Sequence, residues 1–167
     1  MDSDWAGCNK SRKSTSAGFV VLGLHCIKTW SSTQSTIALS SGEAEFYALI
    51  EGASRSLGIQ ALMDDMGFEA SICLRSDSSS GRSISLRKGT GRVRHLQVKF
   101  LWIQDALFDK KLTVDKVKGV ENPADVGTKY LMEHEIRAVV EKYGVLLKSA
   151  NESSHCGASS LKGGVEK

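Results

Sequence analysis

Four short acidic segments, spread over most of the chain, constrain its fold more than any other feature. In order they are Asp2-Ser3-Asp4, Glu43-Ala44-Glu45, Ser76-Asp77-Ser78 and Pro123-Ala124-Asp125. Carboxylates that a fold gathers at the ends of strands and helices repel one another, and a hard divalent cation such as Mg²⁺ usually neutralises them. The segments therefore predict a fold that brings them to one metal site, as in a metal-dependent phosphodiesterase.

The first half of the chain has patterns typical of a hairpin followed by a long helix. An apolar run bounded by glycines, residues 18–23, predicts a buried strand, and residues 25–30 predict its hairpin partner. Ser40 to Glu43 has the form of a capping box. The apolar residues that follow it at helical spacing are Phe46, Ile50, Ala53 and Leu57. Together these features predict an amphipathic helix whose first turn holds the second acidic segment.

The second half alternates strands and helices. Residues 72–76 predict a central strand that ends at Asp77. The other predicted elements are a helix at about 79–87, a helix through Leu96, Phe100, Ile103 and Leu107, a strand over 112–117, a helix from Pro123 and a helix over 132–143. This order predicts an α/β domain in which helices flank a mixed sheet.

Composition narrows the class of protein. The chain has 167 residues, of which 41% are hydrophobic, enough for one domain with a core. Its formal charge of +3 permits contact with a polyanion. The four cysteines form no C-x-x-C pair, so reduced thiols are expected. No apolar run approaches the ~20 residues of a membrane span, and no signal-peptide pattern opens the chain. We expect an intracellular protein, in a cytoplasmic particle or the nucleus, with no membrane partner.

Several longer motifs surround the acidic segments between Asp2 and about Leu131. They read D-S-D-W-A-G, R-K-S-T-S-A-G-F, W-S-S-T-Q, S-S-G-E-A-E-F-Y-A-L, S-D-S-S-S, R-H-L and N-P-A-D-V-G-T-K. In this order the chain resembles the ribonuclease H domain of copia-type retrotransposon Pol polyproteins. The resemblance implies a ribonuclease H-like fold and an endoribonuclease that cuts the RNA strand of an RNA–DNA hybrid.

The same resemblance implies a catalytic and metal-binding set formed by Asp2, Glu45, Asp77 and Asp125. The expected cofactor is a pair of Mg²⁺ ions, with Mn²⁺ as a substitute, that activate the attacking water and stabilise the leaving 3′ oxygen. By analogy Asp2 bridges both ions, Asp125 serves the nucleophile side, and Glu45 with Asp77 serves the leaving-group side. Glu45 is also expected to sense a ribose 2′-hydroxyl.

Each acidic residue has an alternative interpretation. Asp4 lies on the same strand face as Asp2, and the resemblance favours Asp2. Glu43 and Glu45 point about 200° apart around a helix, so only one can face the site. Glu43 has the capping-box role, which favours Glu45. The alternative role of Asp77 is that of a turn or N-cap residue. The alternative role of Asp125 is that of a carboxylate in the first turn of a helix, where the helix dipole stabilises it.

A basic stretch follows Asp77. Residues 82–99 contain no acidic residue, and they are expected to track phosphates or to form an ordinary solvated surface. The candidate nucleic-acid-binding residues are Arg82, Arg87, Lys88, Arg92, Arg94 and His95. For His95 a helix start and a phosphate contact remain equally open.

The chain departs from the family at its start. Only Met1 precedes Asp2, where the family has a full central strand that presents the first aspartate. Without that pairing we expect lower stability and a displaced Asp2. The expected domains are an N-terminally truncated ribonuclease H-like domain over 1–131, a C-terminal helix over 132–147 and a disordered tail over 148–167. A reverse transcriptase region of the same polyprotein is expected upstream.

Three functions are therefore open. The first is a hybrid-specific ribonuclease, which the acidic quartet favours. The second is a catalytically inactive, truncated retroelement remnant that only binds nucleic acid through the basic stretch. The third is another nuclease or an integrase on the same fold, since a fold alone does not fix an activity.

Overall fold

The computed structural model describes residues 1–91, 93 and 95–145. The strands are β1 (Asp2–Asp4), β2 (Thr15–Leu22), β3 (His25–Thr33), β4 (Ile72–Ser76) and β5 (Leu112–Lys116). The α-helices are α1 (Ser41–Asp65), α2 (Ser79–Leu86), α3 (Trp102–Phe108) and α4 (Glu133–Lys142). Short 3₁₀ turns cover Val98–Phe100, Gly119–Glu121 and Pro123–Gly127. The predicted α/β class is confirmed, and the arrangement is compatible with a ribonuclease H-like fold. No described helix is both long and apolar enough to cross a membrane.

The strands form two small sheets that meet at the first residue. Strands β1, β2 and β3 are antiparallel neighbours, whereas β4 and β5 are parallel. The Met1 nitrogen donates a hydrogen bond of 2.7 Å to the Arg75 carbonyl of β4. Because β1 is paired with β2 on its other side, this bond places β1 between the two sheets. Asp2 is thus held next to the end of β4, and its predicted displacement is wrong.

The core lies between the sheets and helices α1, α2 and α3. Its largest fully buried apolar side chains are Phe46, Leu49, Leu74, Ile103 and Leu112. Helix α1 begins at the predicted position because the Ser40 hydroxyl accepts a hydrogen bond of 3.2 Å from the Glu43 N–H. The predicted strands at 72–76 and 112–117 and the helix at 79–87 are confirmed to within a residue.

Other predicted elements differ in detail. Residues 18–23 were expected to be a buried strand, but Val21 and Leu22 at the end of β2 are 40% and 52% exposed. They pair with β3 and line a groove with β4, but on the other edge of β2 the pairing with β1 covers only Thr15 to Ala17. The expected helix at Leu96 begins only at Trp102, because a 3₁₀ turn precedes it. Leu96 is buried all the same, since apolar spacing reports burial and not hydrogen bonding.

The C-terminal predictions are only partly covered by the described residues. Pro123 begins a 3₁₀ turn in place of the expected α-helix, and that turn ends at Gly127. Helix α4 falls within the predicted 132–147, with Val140 buried, while residues 146 and 147 lie outside the described residues. The predicted tail over 148–167 also lies outside them.

Two glycines allow the elements around the acidic residues to approach closely. A Cβ on Gly81 of α2 would lie 2.9 Å from Glu45 Cβ and 3.2 Å from the Glu45 carbonyl carbon of α1. A Cβ on Gly127 would lie 2.5 Å from Ala17 Cβ of β2. The Ser31 hydroxyl also donates to the Gly127 carbonyl at 2.7 Å. These contacts fix α2 against α1 and the 123–127 turn against the hairpin.

We predict that Gly81→Ala destabilises the protein by about 1–3 kcal/mol, because the added methyl group meets backbone atoms of α1 that cannot move aside. Gly58→Ala is the matched control. Gly58 is also helical, but a Cβ there meets nothing within 4 Å. The control should gain about 0.5–1 kcal/mol from the better helix propensity of alanine. Urea denaturation of both variants measures the two changes, and a Gly81→Ala variant as stable as the parent would contradict the close packing.

Candidate metal centre

Three of the four predicted carboxylates converge. One carboxylate oxygen each from Asp2, Asp77 and Asp125 lie within 4.8 Å of one another. Asp2 begins β1, Asp77 follows β4, and Asp125 lies in the 3₁₀ turn. Asp2 is buried, and the other two are half-buried. Residues 123 positions apart in the chain therefore form one acidic cluster, which we define as Asp2, Asp77 and Asp125.

Asn122 and Thr128 hold the cluster together on either side of Asp125. The Asn122 side-chain amide donates to the Met1 carbonyl at 3.1 Å, and its carbonyl oxygen accepts from the Ala124 N–H at 3.3 Å. The Thr128 hydroxyl donates a short hydrogen bond to Asp2. The 3₁₀ turn is thus tied to β1 at both ends. Sequence reasoning missed both residues, although both belong to the N-P-A-D-V-G-T-K motif.

Glu45 lies beside the cluster without belonging to the convergent set. One of its oxygens accepts a long hydrogen bond of 3.4 Å from the Ser3 N–H. The other oxygen is buried and has no hydrogen-bond partner among the described residues. Burial, followed by the negative charges of Asp2 and Asp77, raises the pKa of Glu45 to about 8. Burial also raises the pKa of Asp2, with smaller contributions from Asp125 and Asp77, while the Thr128 hydrogen bond opposes the shift.

A cationic residue that the sequence analysis missed reaches the cluster. The Lys129 ammonium lies 2.7 Å from one Asp125 oxygen, Oδ2. Burial works against its charge, but the hydrogen bond to Asp125 and the charges of Asp2, Asp125 and Asp77 raise the pKa of Lys129 overall. The spacing of four residues between Asp125 and Lys129 is the signal that could have found this pair.

The two carboxylates that compete with this set are used elsewhere. Asp4 accepts a short hydrogen bond from the Thr15 N–H, so it fixes the pairing of β1 with β2. Glu43 is buried and accepts from the Leu39 N–H at 2.9 Å and the Tyr47 hydroxyl at 2.5 Å. Burial opposes ionisation of Glu43, yet these bonds and one to His95 lower its pKa overall. Glu43 is therefore a satisfied structural carboxylate.

The structure gives His95 a contact that the sequence did not predict. Its Nε2 atom lies 2.7 Å from a Glu43 oxygen, and its side chain is 46% exposed. The pair links the segment before the Val98–Phe100 turn to the first turn of α1. The two open interpretations of His95, a helix start and a phosphate contact, stay predictions.

Of the other candidate nucleic-acid-binding residues, Arg87 lies in a cavity beside the start of α1. A cavity of about 430 Å³ is lined by Ser40, Ser41, Gly42, Ser79, Ser80, Ser83, Ile84, Arg87 and Val93. Arg87 also donates to the Thr90 carbonyl at 2.6 Å, and the Lys88 ammonium lies 3.9 Å from the centre of the Phe108 ring. Arg82 is half-buried, and its Nε has no partner among the described residues. Arg92 and Arg94 lie outside the described residues.

The acidic residues fit a hard divalent cation. The ligand atoms on offer are carboxylate oxygens, which Mg²⁺ and Mn²⁺ prefer. Two of the buried oxygens, Asp125 Oδ1 and Glu45 Oε2, have no hydrogen-bond partner among the described residues. Buried polar atoms are normally satisfied, so these two oxygens can each accept a ligand or a proton.

Comparisons with known proteins point to a retroelement. The chain is 29% identical over 148 residues to the retrovirus-related Pol polyprotein from transposon TNT 1-94 of Nicotiana tabacum. This match covers 86% of the chain but only 11% of the polyprotein. The chain is also 43% identical over 56 residues to the secreted RxLR effector protein 161 of Plasmopara viticola, covering 34% of the chain and 39% of that protein.

A shorter match, 44% identical over 48 residues, is to an uncharacterised mitochondrial protein of Arabidopsis thaliana and covers 29% of the chain and 20% of that protein. No protein-family model matches the chain, and no solved structure matches it at a significant level. The similarity to a Pol polyprotein over most of the chain supports a retroelement-derived protein. The chain spans about a tenth of that polyprotein.

The raised pKa of Glu45 predicts a pH dependence of stability. Between the ordinary value of 4.5 and the folded value of about 8, the folded state binds the Glu45 proton more tightly than the unfolded state. The contribution of Glu45 to the free energy of unfolding in EDTA should therefore fall as pH rises through this window, by at most about 1.4 kcal/mol per pH unit. Glu45→Gln, which stays neutral, should flatten the fall in urea denaturation curves.

The matched control for this measurement is Glu133→Gln, because the Glu133 side chain is 86% exposed at the start of α4. It should keep the slope of the parent. A Glu45→Gln variant whose stability falls as steeply as that of the parent would show that Glu45 ionises freely in the folded state.

Proposed function

We propose that this chain is the ribonuclease H of a copia-like retrotransposon and that it hydrolyses the RNA strand of an RNA–DNA hybrid. The observation that carries the proposal is the convergence of Asp2, Asp77 and Asp125 within 4.8 Å, with Glu45 alongside. Structural carboxylates are normally dispersed or paired, whereas a cluster of this kind is costly without a cation. The similarity to a Pol polyprotein supports the same function.

In this proposal Asp2, Glu45, Asp77 and Asp125 hold divalent cations, Mg²⁺ or Mn²⁺. When bound, such ions supply activation of a water nucleophile and stabilisation of the charge on the leaving oxygen. The protein contributes the placement of the oxygens. Asp2 is fixed by β-pairing with Ala17 and by Thr128, and Asp125 is fixed by the turn that Asn122 caps.

Glu45 releases a proton when a cation binds and takes it up again when the cation leaves. At neutral pH its raised pKa keeps this carboxyl largely protonated while the nearby aspartates remain without a cation. Ligation requires the carboxylate form, so metal binding at Glu45 is coupled to proton release. We therefore expect metal affinity to rise with pH up to about 8, the pKa of this group.

The serine-lined cavity next to α1 suits a nucleic-acid backbone. Serine hydroxyls, N–H groups at the starts of α1 and α2, and the Arg87 guanidinium all donate hydrogen bonds of the kind that phosphate oxygens accept. These groups read no base, which is what a ribonuclease without sequence preference needs. Within a longer Pol polyprotein, a reverse transcriptase region would be the source of the hybrid.

We predict that the chain cleaves the RNA strand of a labelled RNA–DNA duplex in Mg²⁺ and that Asp77→Asn lowers the rate by about 100-fold or more. A bound metal contributes several kcal/mol to the transition state, and about 1.4 kcal/mol corresponds to a tenfold change in rate. Cleavage should leave a 5′ phosphate and a 3′ hydroxyl. Gel electrophoresis of end-labelled substrate measures both the rate and the ends.

The matched control is Asp64→Asn, at an exposed position near the end of α1 and outside the acidic cluster. This variant should cleave at the rate of the parent. If Asp77→Asn cleaved at the rate of the parent, the assignment of the catalytic residues would be wrong. Salt-sensitive hybrid binding without turnover by the parent would instead favour the non-catalytic remnant.

A further inference from the structure

Lys129 places a positive charge next to the acidic cluster. Within residues 1–91, 93 and 95–145, it is the one lysine or arginine with its charged group within 4.0 Å of a carboxylate of the acidic cluster. We infer that Lys129 is an internal counter-ion of the cluster, which neutralises Asp125 until a divalent cation displaces the ammonium. The inference rests on the proposed metal site.

The contact geometry makes the ammonium and a cation competitors for one carboxylate, that of Asp125. Lys129 Nζ lies 2.7 Å from Asp125 Oδ2. A magnesium ion bound to the same oxygen would need a distance of about 2.1 Å and its own coordination sphere. Asp125 Oδ1 has no hydrogen-bond partner among the described residues, so Lys129 satisfies only half of this carboxylate. An ion that binds at Oδ1 shares this carboxylate with the ammonium, and the repulsion between the two positive charges favours release of the ammonium.

The backbone around Lys129 is anchored, while its side chain is free to leave. The Lys129 N–H donates to the Asp125 carbonyl at 2.9 Å, and Thr128 next to it holds Asp2. The Lys129 side chain is 50% exposed, so the ammonium can move into water without disturbing the core. The Lys129 ammonium can therefore leave Asp125 and return to it while the backbone stays in place.

The charges around Lys129 favour this role over that of an ordinary surface ion pair. Isolated exposed pairs contribute little to stability. Lys129 instead contacts Asp125, and one oxygen of that carboxylate lies within 4.8 Å of an oxygen of Asp2 and of Asp77. Because the three carboxylates repel one another, one nearby positive charge lowers the cost of holding all of them together.

The test is Lys129→Met in the full chain, with MgCl₂ titrated by isothermal calorimetry in the absence of nucleic acid. The variant should bind Mg²⁺ about three- to tenfold more tightly than the parent, because the cation no longer displaces a like charge. In EDTA the variant should melt at a lower temperature than the parent. Saturating Mg²⁺ should close this gap, because the ion replaces the missing charge.

The matched control is Lys111→Met, which breaks an exposed lysine–aspartate pair of 3.5 Å at the start of β5, the end of the parallel sheet opposite Asp77. It should leave Mg²⁺ affinity unchanged. If Lys129→Met does not fold in EDTA, Lys129→Gln keeps a neutral donor near Asp125 and carries the same test.

The outcomes separate the two proposals. Equal or weaker Mg²⁺ binding by Lys129→Met, with the parent binding Mg²⁺ normally, overturns the counter-ion and leaves the metal site standing. No saturable Mg²⁺ binding by the parent overturns the metal site and the counter-ion with it. Tighter binding by Lys129→Met and by Lys111→Met alike would overturn the counter-ion, since the effect would then be one of net charge.

Discussion

The mutual repulsion of carboxylates held close together is the constraint on which the rest of this structure depends. Asp2, Asp77 and Asp125 come from three separate elements, and each element is held by strand pairing or hydrogen bonds of its own. Asn122 joins the 3₁₀ turn to Met1, Thr128 joins it to Asp2, and Gly127 seats it on β2. The fold thereby opposes a repulsion that would otherwise spread these groups apart.

Helix α1 shows how one element can use two carboxylates in opposite ways. Glu43 and Glu45 lie two residues apart and on different faces of the same turn. Glu43 is surrounded by donors from Leu39, Tyr47 and His95, and its pKa is lowered. Glu45 has one long hydrogen bond, faces Asp2 and Asp77, and has its pKa raised to about 8. The difference comes from the neighbours, because the two residues are chemically identical. It also explains why Glu45, and not Glu43, has an oxygen without a hydrogen-bond partner among the described residues.

Much of the fold follows from local patterns. Strands β4 and β5 and helices α1 and α2 were predicted because apolar spacing and the Ser40 cap are encoded within a few residues. Asp2, Glu45, Asp77 and Asp125 were predicted as metal ligands from the longer sequence motifs that contain them. The contacts of Thr128 and His95 were missed because each depends on a partner that only the folded chain brings near. The contact of Lys129 with Asp125 is local, and their spacing of four residues could have revealed it. The exposed end of β2 was missed because an apolar run does not reveal whether a neighbouring strand covers it.

We expect the acidic cluster to bind divalent cations. A crystal structure of the chain grown with Mn²⁺ would show whether it does. The anomalous difference map should show manganese bound by the carboxylate oxygens of Asp2, Asp77 and Asp125, with the Lys129 ammonium moved away from Asp125. A map without manganese at these residues, and with Lys129 still paired to Asp125, would show that the cluster is not a metal site.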